Sequence, residues 1–130
     1  MGNKKTILAH SSAIFSIFLE DDLLLTLSSE GVKGWKRRQV EEGTAKEALF
    51  FISSQKREQL CFNCATITAD KRMFIGANDG YVYGYDIRGE GVKEDAVFSA
   101  HSDSILSISH KTNSNRFYTG SEDGTVKIWG

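Results

Sequence analysis

At 130 residues the chain holds one domain or less, and its 40% hydrophobic and 25% charged content is that of an ordinary globular protein. A net charge of −1 gives no electrostatic reason to expect nucleic acid or anionic lipid as the main ligand. No apolar run approaches the ~20 residues of a membrane-spanning helix, "MGNKKTILAH" lacks the apolar stretch of a signal peptide, and two cysteines make no secreted disulfide framework.

The first six residues, "MGNKKT", match an N-myristoylation pattern, with Gly2 and Thr6 in the required places. Lys4–Leu8, however, reads as a β-strand, and a single acyl chain gives only marginal membrane binding, so no membrane role is expected. Ala9–Trp35 then shows two apolar-alternating runs separated by "EDD", and a third run after "SSEG". "VKGWKRRQ" gathers Lys33, Lys36, Arg37 and Arg38, but Glu41 and Glu42 balance them, and a solvated loop is expected rather than an RNA contact. "EALFFI", Glu47–Ile52, reads as a further strand. "CFNC" has metal or redox spacing, yet one such pair without a second is a weak signal. Alternation places Phe62 and Cys64 on one strand face, which predicts a packed thiol. Cys61–Asp86 repeats the three-run pattern around "ADKR" and "NDG", followed by "DAVFSA", Asp95–Ala100. Ala100–Trp129 repeats it again around "KTNSN", with His110 predicted in a turn and no metal role.

The last repeat is the clearest. "EDGT", Glu122–Thr125, places Asp-Gly between two β-prone runs, the strongest short-range signal for a tight hairpin. Each repeat ends on an aromatic residue (Trp35, Tyr85, Trp129), spaced 50 and 44 positions apart. With no proline and 12 glycines, the turns must be made by Gly, Asn, Asp and Ser. Four short antiparallel strands per ~45 residues is the signature of a propeller blade.

The third repeat, "AH" followed by "TGSEDGTVKIW", resembles the WD40 repeat. The first repeat has a shortened turn that lacks an Asp at Ser29 or Glu30, and the second keeps Asp79 but has no counterpart of the His. The resemblance implies an all-β fold of about three four-stranded antiparallel WD40 β-propeller blades, an incomplete ring. The repeats fall at about 9–52, 61–99 and 100–130, with 4–8 the outer strand of a neighbouring blade and twelve strands in all. It also implies that His101, Thr119, Asp123 and Trp129 form a buried hydrogen-bonded structural tetrad, scaffolding rather than a hydrolytic triad.

The implied function is that of a non-catalytic scaffold without cofactor or metal, binding other proteins through loops on one face. The contact candidates are Ser12, Asn78, Ser102, Asp103 and Glu122. The order of strong and weak repeats is similar to the early blades of a nuclear RNA-export scaffold, which implies messenger RNA processing and a nuclear location; otherwise the cytoplasm is expected. A generic adaptor such as a ubiquitin-ligase substrate receptor is the alternative, as is a fragment of a longer multidomain enzyme. Because propellers close with four to eight blades, three leave apolar faces uncovered. The expectation is therefore a piece of a longer chain, self-assembly of two arcs, or completion by a partner's blades.

Overall fold

The computed structural model describes residues 2–55 and 58–130. Three antiparallel sheets follow one another along the chain. The first contains β1 (Ile14–Leu19), β2 (Leu23–Ser28), β3 (Gly31–Lys36) and β4 (Phe50–Ser53), in that spatial order. The second contains β5 (Phe62–Ile67), β6 (Arg72–Ala77), β7 (Tyr81–Asp86) and β8 (Lys93–Ser99). The third has three strands: β9 (Ile105–His110), β10 (Phe117–Ser121) and β11 (Val126–Trp129). Each sheet is a meander, as expected when short alternating runs follow one another through mostly short polar connections.

The sheets stack as blades because each presents an apolar face to the next. Leu25, Leu27, Val32 and Ile52 of the first blade meet Ile75, Tyr83 and Tyr85 of the second in one core, with Phe62, Ile67 and Met73. Cys64, Phe74 and Val82, on the far side of the second blade, meet Ile105 and Phe117 of the third. Phe74 and Phe117 stack there with ring centroids 4.2 Å apart. Each large side chain buried in this way contributes ~1.5–3 kcal/mol, so the blade interfaces, rather than the isolated sheets, hold the arc together.

Polar ties at one end of the strands reinforce the stack. The Lys71 ammonium pairs with Glu20 of the first blade, the Ala69 amide donates to the Ser114 carbonyl at 3.0 Å, and the Asp70 amide donates to Asn115 Oδ1 at 2.9 Å. The turns "EDD", "ADKR" and "KTNSN" thus interlock from blade to blade. The opposite ends of the strands, carrying the other set of turns, therefore face one common direction.

Four details depart from the sequence expectation. The segment after Trp35 is not a loop but a short helix, α1 (Arg37–Glu42), held by an Arg37–Glu41 ion pair one turn apart and closed by Gly43 in the left-handed region. Lys4–Leu8 pairs with no strand, and eleven strands form among the described residues rather than twelve. A β-strand needs an edge to pair with, and among the described residues none pairs with residues 4–8. His110 lies at the end of β9 rather than in a turn, with its Nδ1 2.8 Å from Thr66 Oγ1 of the second blade. The fourth strands run Phe50–Ser53 and Lys93–Ser99, a few residues off the apolar runs Glu47–Ile52 and Asp95–Ala100.

Candidate partner-binding face and its buried relays

The third blade brings His101, Thr119, Asp123 and Trp129 into one hydrogen-bonded chain. Trp129 Nε1 donates to Thr119 Oγ1 at 3.0 Å, His101 Nε2 lies 2.7 Å from the same hydroxyl, and His101 Nδ1 lies 3.0 Å from Asp123 Oδ2. The indole can only donate, which leaves the Thr119 hydrogen for Nε2 and puts the ring proton on Nδ1, facing the carboxylate. Asp123 also accepts from the Thr125 hydroxyl at 2.6 Å, the Thr125 amide at 2.9 Å and the Ser102 amide at 3.2 Å. The Thr125 hydroxyl first, then its amide, His101 and Ser102, hold the Asp123 carboxyl well below the usual carboxylate range.

A second relay in the first blade escaped the sequence reading. Trp35 Nε1 donates to Thr26 Oγ1 at 2.9 Å, His10 Nε2 lies 2.8 Å from that hydroxyl, and His10 Nδ1 lies 3.2 Å from Glu30 Oε1. Glu30 takes the aspartate's place. The hairpin is one residue shorter, since Ser28 pairs directly with Gly31, and the extra methylene restores the reach to His10 and to the Ser11 amide at 3.0 Å. The Ser11 hydroxyl first, then the Ser11 amide and His10, lower the Glu30 carboxyl below its ordinary range. Gly31 fits this tight turn with φ +141°, where a Cβ would sit 2.1 Å from the Ile52 carbonyl oxygen. The shared "AH" of Ala9-His10 and Ala100-His101 was the available signal.

Among the described residues, the middle blade brings no histidine to such a relay. Ile75 occupies the position of the two threonines, four residues before the turn carboxylate, and is fully buried. Tyr83 packs on Phe62 with centroids 5.5 Å apart and donates its hydroxyl to Asp79 at 2.5 Å. Apolar packing thus replaces the polar chain, while the turn carboxylate still gains a donor.

The loops before β1 and β9, together with the turns after β2, β6 and β10, share one end of the blades. Ser102, Asp103 and Glu122 come together there around Asp123, all exposed; Asp103 Oδ1 accepts the Ser104 amide, and the Glu122 amide donates to the Ser104 carbonyl. Asn78 is exposed but ties down the preceding loop, accepting from the Cys61 amide at 2.8 Å and donating to the Gln59 carbonyl at 2.7 Å. Ser12 is half-buried, and its hydroxyl is enclosed without a hydrogen-bond partner. Among the described residues, Glu30, Asp79, Asp103, Glu122 and Asp123 bring acidic side chains to this end. The loop entering the third blade is fixed to the second: the Ala100 and His101 amides both donate to the Gly80 carbonyl at 3.0 Å.

The thiols stand apart from this chemistry. Cys61 and Cys64 are both free; Cys64 is buried in the second interface, and burial pushes its thiol up to about 12.

Residues 93–130 match the family described as WD40, "WD domain, G-beta repeat". THO complex subunit 6 of Arabidopsis thaliana is 26% identical over 97% of this chain and 40% of its own length. The THO complex subunit 6 homolog of Danio rerio is 23% identical over 93% of the chain and 38% of its own length. Target of rapamycin complex subunit LST8 of Saccharomyces cerevisiae is 36% identical over 52% of the chain and 22% of its own length. The chain therefore spans two fifths or less of these relatives. Among solved structures, the RRP9 WD40 repeats superpose with a TM-score of 0.77 at 16% identity, over 94% of this chain and 36% of that one. The computationally designed Ika4 protein gives 0.69 at 21% identity, over 92% and 67%. The chain thus has the fold of WD40 β-propeller blades, matches the WD40 family over residues 93–130, and is similar in sequence to THO complex subunit 6.

Proposed function

We propose that the chain is a non-catalytic protein-binding scaffold that works in a nuclear RNA-export assembly of THO type. The observation that carries the binding reading is the pair of relays. Each uses its polar atoms on fixing a loop and a turn, so that Ser102, Asp103 and Glu122 are displayed on a rigid base. An acidic, rigid face of this kind suits a basic segment of a partner protein. Similarity to THO complex subunit 6 over nearly the whole chain supports the assembly, and with it the nucleus and messenger RNA processing. The LST8 similarity covers half the chain and supports the broader reading of a WD40 adaptor.

Immunoprecipitation with mass spectrometry of partners tests both levels, comparing the native sequence with an Asp103→Lys, Glu122→Lys variant whose thermal unfolding is unchanged. Recovery of THO subunits by the native chain, lost in the variant, is expected. Recovery of other protein complexes, equally lost, would keep the scaffold reading and remove the THO assignment. Partners retained by the variant would remove the face from the account.

A further inference from the structure

The entry into β8 carries a four-residue pattern that neither the fold nor the proposed scaffold uses. Val92-Lys93-Glu94-Asp95 is a large aliphatic residue, a lysine, any residue and an acid. This is the order in which the conjugating enzyme of a small ubiquitin-like modifier reads an acceptor. The aliphatic side chain packs on the enzyme, the lysine amine reaches the enzyme's cysteine, and the acid meets basic side chains. No other lysine of the sequence has both an aliphatic residue before it and an acid two positions after it.

The structure presents these residues to an enzyme. Lys93 opens β8, so Lys93–Asp95 is already extended, and the far edge of β8 pairs with no described residue. An extended segment on an open edge is the form in which many proteins read a peptide. β8 lies between β7 and β9 in the chain, so its place is set by sequence on both sides of it.

The side chains divide the task. Lys33 and Lys127 donate to backbone carbonyls and Lys71 pairs with Glu20. Lys93 is exposed, and among the described residues its ammonium has no partner. Val92 is half-buried at the margin of the first blade interface, in a shallow groove with Leu49 and Ile87. Gly89 and Gly91 precede it, and a Cβ on either would meet nothing within 4 Å, so the approach from that side is open. Asp95 is the extra residue of a bulge, since Glu94 stands opposite Tyr85 and Ala96 opposite Gly84. Its carboxylate accepts from Arg72 Nη2 at 2.6 Å and Nε at 3.1 Å, and a third of the side chain (33%) still faces solvent. A partly exposed ion pair is a weak one, so basic side chains of an enzyme can take the place of Arg72.

We propose that Lys93 is an acceptor for a small ubiquitin-like modifier. The Lys93 amine, after giving one proton to solvent, attacks the carbonyl carbon of the thioester that joins the modifier's C-terminal glycine to the enzyme's cysteine. The N–C bond forms, the C–S bond breaks, the thiolate leaves, and the second proton of the amine passes to solvent. Lys93 pairs across from Asp86, and Asp86 from Arg72, at the end of the blade that carries "ADKR". The modifier is thereby attached away from Ser102, Asp103 and Glu122, and adds a docking element while leaving their face open. The inference is independent of which proteins that face binds.

The test incubates the whole purified chain with the modifier, its activating and conjugating enzymes and ATP, and maps the adducts by peptide mass spectrometry. One modifier on Lys93 is expected. Lys93→Arg, which keeps the charge at an exposed position, is expected to lose that adduct. Asp95→Asn, with a native far-ultraviolet circular dichroism spectrum, is expected to form it severalfold more slowly. No adduct on the native chain, adducts confined to other lysines, or an unchanged rate for folded Asp95→Asn would overturn the proposal.

Discussion

Glu30 and Asp123 do the same work at different distances from their strands. Each carboxylate approaches the Nδ1 of the histidine in its own blade, at 3.2 Å and 3.0 Å, and each accepts the amide of the next residue, Ser11 or Ser102. The hairpin of the first blade is one residue shorter, and the side chain is one methylene longer. Shortening the acid without lengthening the turn should therefore break the relay. Glu30→Asp is expected to lower the unfolding temperature nearly as far as Glu30→Ala, whereas Glu30→Gln, which keeps the reach and an acceptor oxygen, should fall less. Thermal unfolding of the three variants checks the order, and an unperturbed Glu30→Asp would show that reach is not what the glutamate supplies.

The hubs of the relays are hydroxyls, not carboxylates. Thr26 and Thr119 each serve an indole and an imidazole and are almost fully buried. Replacing either by valine keeps the shape but strands two polar nitrogens, at a cost of ~1–3 kcal/mol each. The middle blade reverses the sign of this argument. Ile75 has apolar neighbours at the matching position, so Ile75→Thr buries a hydroxyl with no imidazole to receive it and is expected to cost a similar ~1–3 kcal/mol. Chemical denaturation of Thr119→Val and Ile75→Thr measures both; a stabilised Ile75→Thr would mean that the middle blade holds a partner for it.

What the sequence showed and what it hid follow from the range of each interaction. Strand meanders and the third relay were legible because alternation, the Asp-Gly turn and the His-to-Trp spacing are local patterns. The first relay was hidden because Glu30 differs from the expected residue in length and position together, and only the closed hairpin shows that the two changes cancel. The helix at Arg37–Glu42 was hidden because it is six residues long, has basic residues in its first turn and acidic ones in its last, and runs against the preferred order of charge along a helix. The place of His110 was hidden because its partner, Thr66, is 44 positions away in another blade. Among the proposed contact residues, Asn78 illustrates a different limit: an exposed turn residue that looks free in sequence has both amide ends engaged in holding the loop before it.

Acid should unfold the arc partly through these carboxylates. Asp123 and Glu30 both titrate below their ordinary values in the folded chain. A carboxylate whose folded value is depressed contributes stability that is complete above its unfolded value, about 3.9 for Asp and 4.3 for Glu. That contribution is lost as the pH falls through the folded value. The unfolding temperature of the native chain should thus drop steeply below about pH 4. Asp123→Asn should start lower and show a shallower drop, so that the two curves converge toward pH 2. Parallel curves over that window would show that Asp123 titrates alike in the folded and unfolded chain.

The two thiols should separate cleanly by reactivity. Cys64 lies in the second blade interface, where its Sγ faces the Gly76 carbonyl at 3.9 Å and burial pushes its thiol up to about 12. Burial also raises the Cys61 thiol, but that side chain is only half-buried, at the entrance to β5. The thiolate is the reactive form, so at pH 8 a disulfide reagent should label Cys61 at a measurable rate and leave Cys64 unlabelled until the chain unfolds. Because the folded chain disfavours the Cys64 thiolate, its contribution to stability is complete below the unfolded value of about 8.5 and is lost as the pH rises toward the folded one. Peptide mass spectrometry after timed labelling assigns the two rates. Equal labelling of both in the native chain, or protection of both by added zinc, would mean that "CFNC" forms an accessible pair instead of one packed thiol and one half-exposed one.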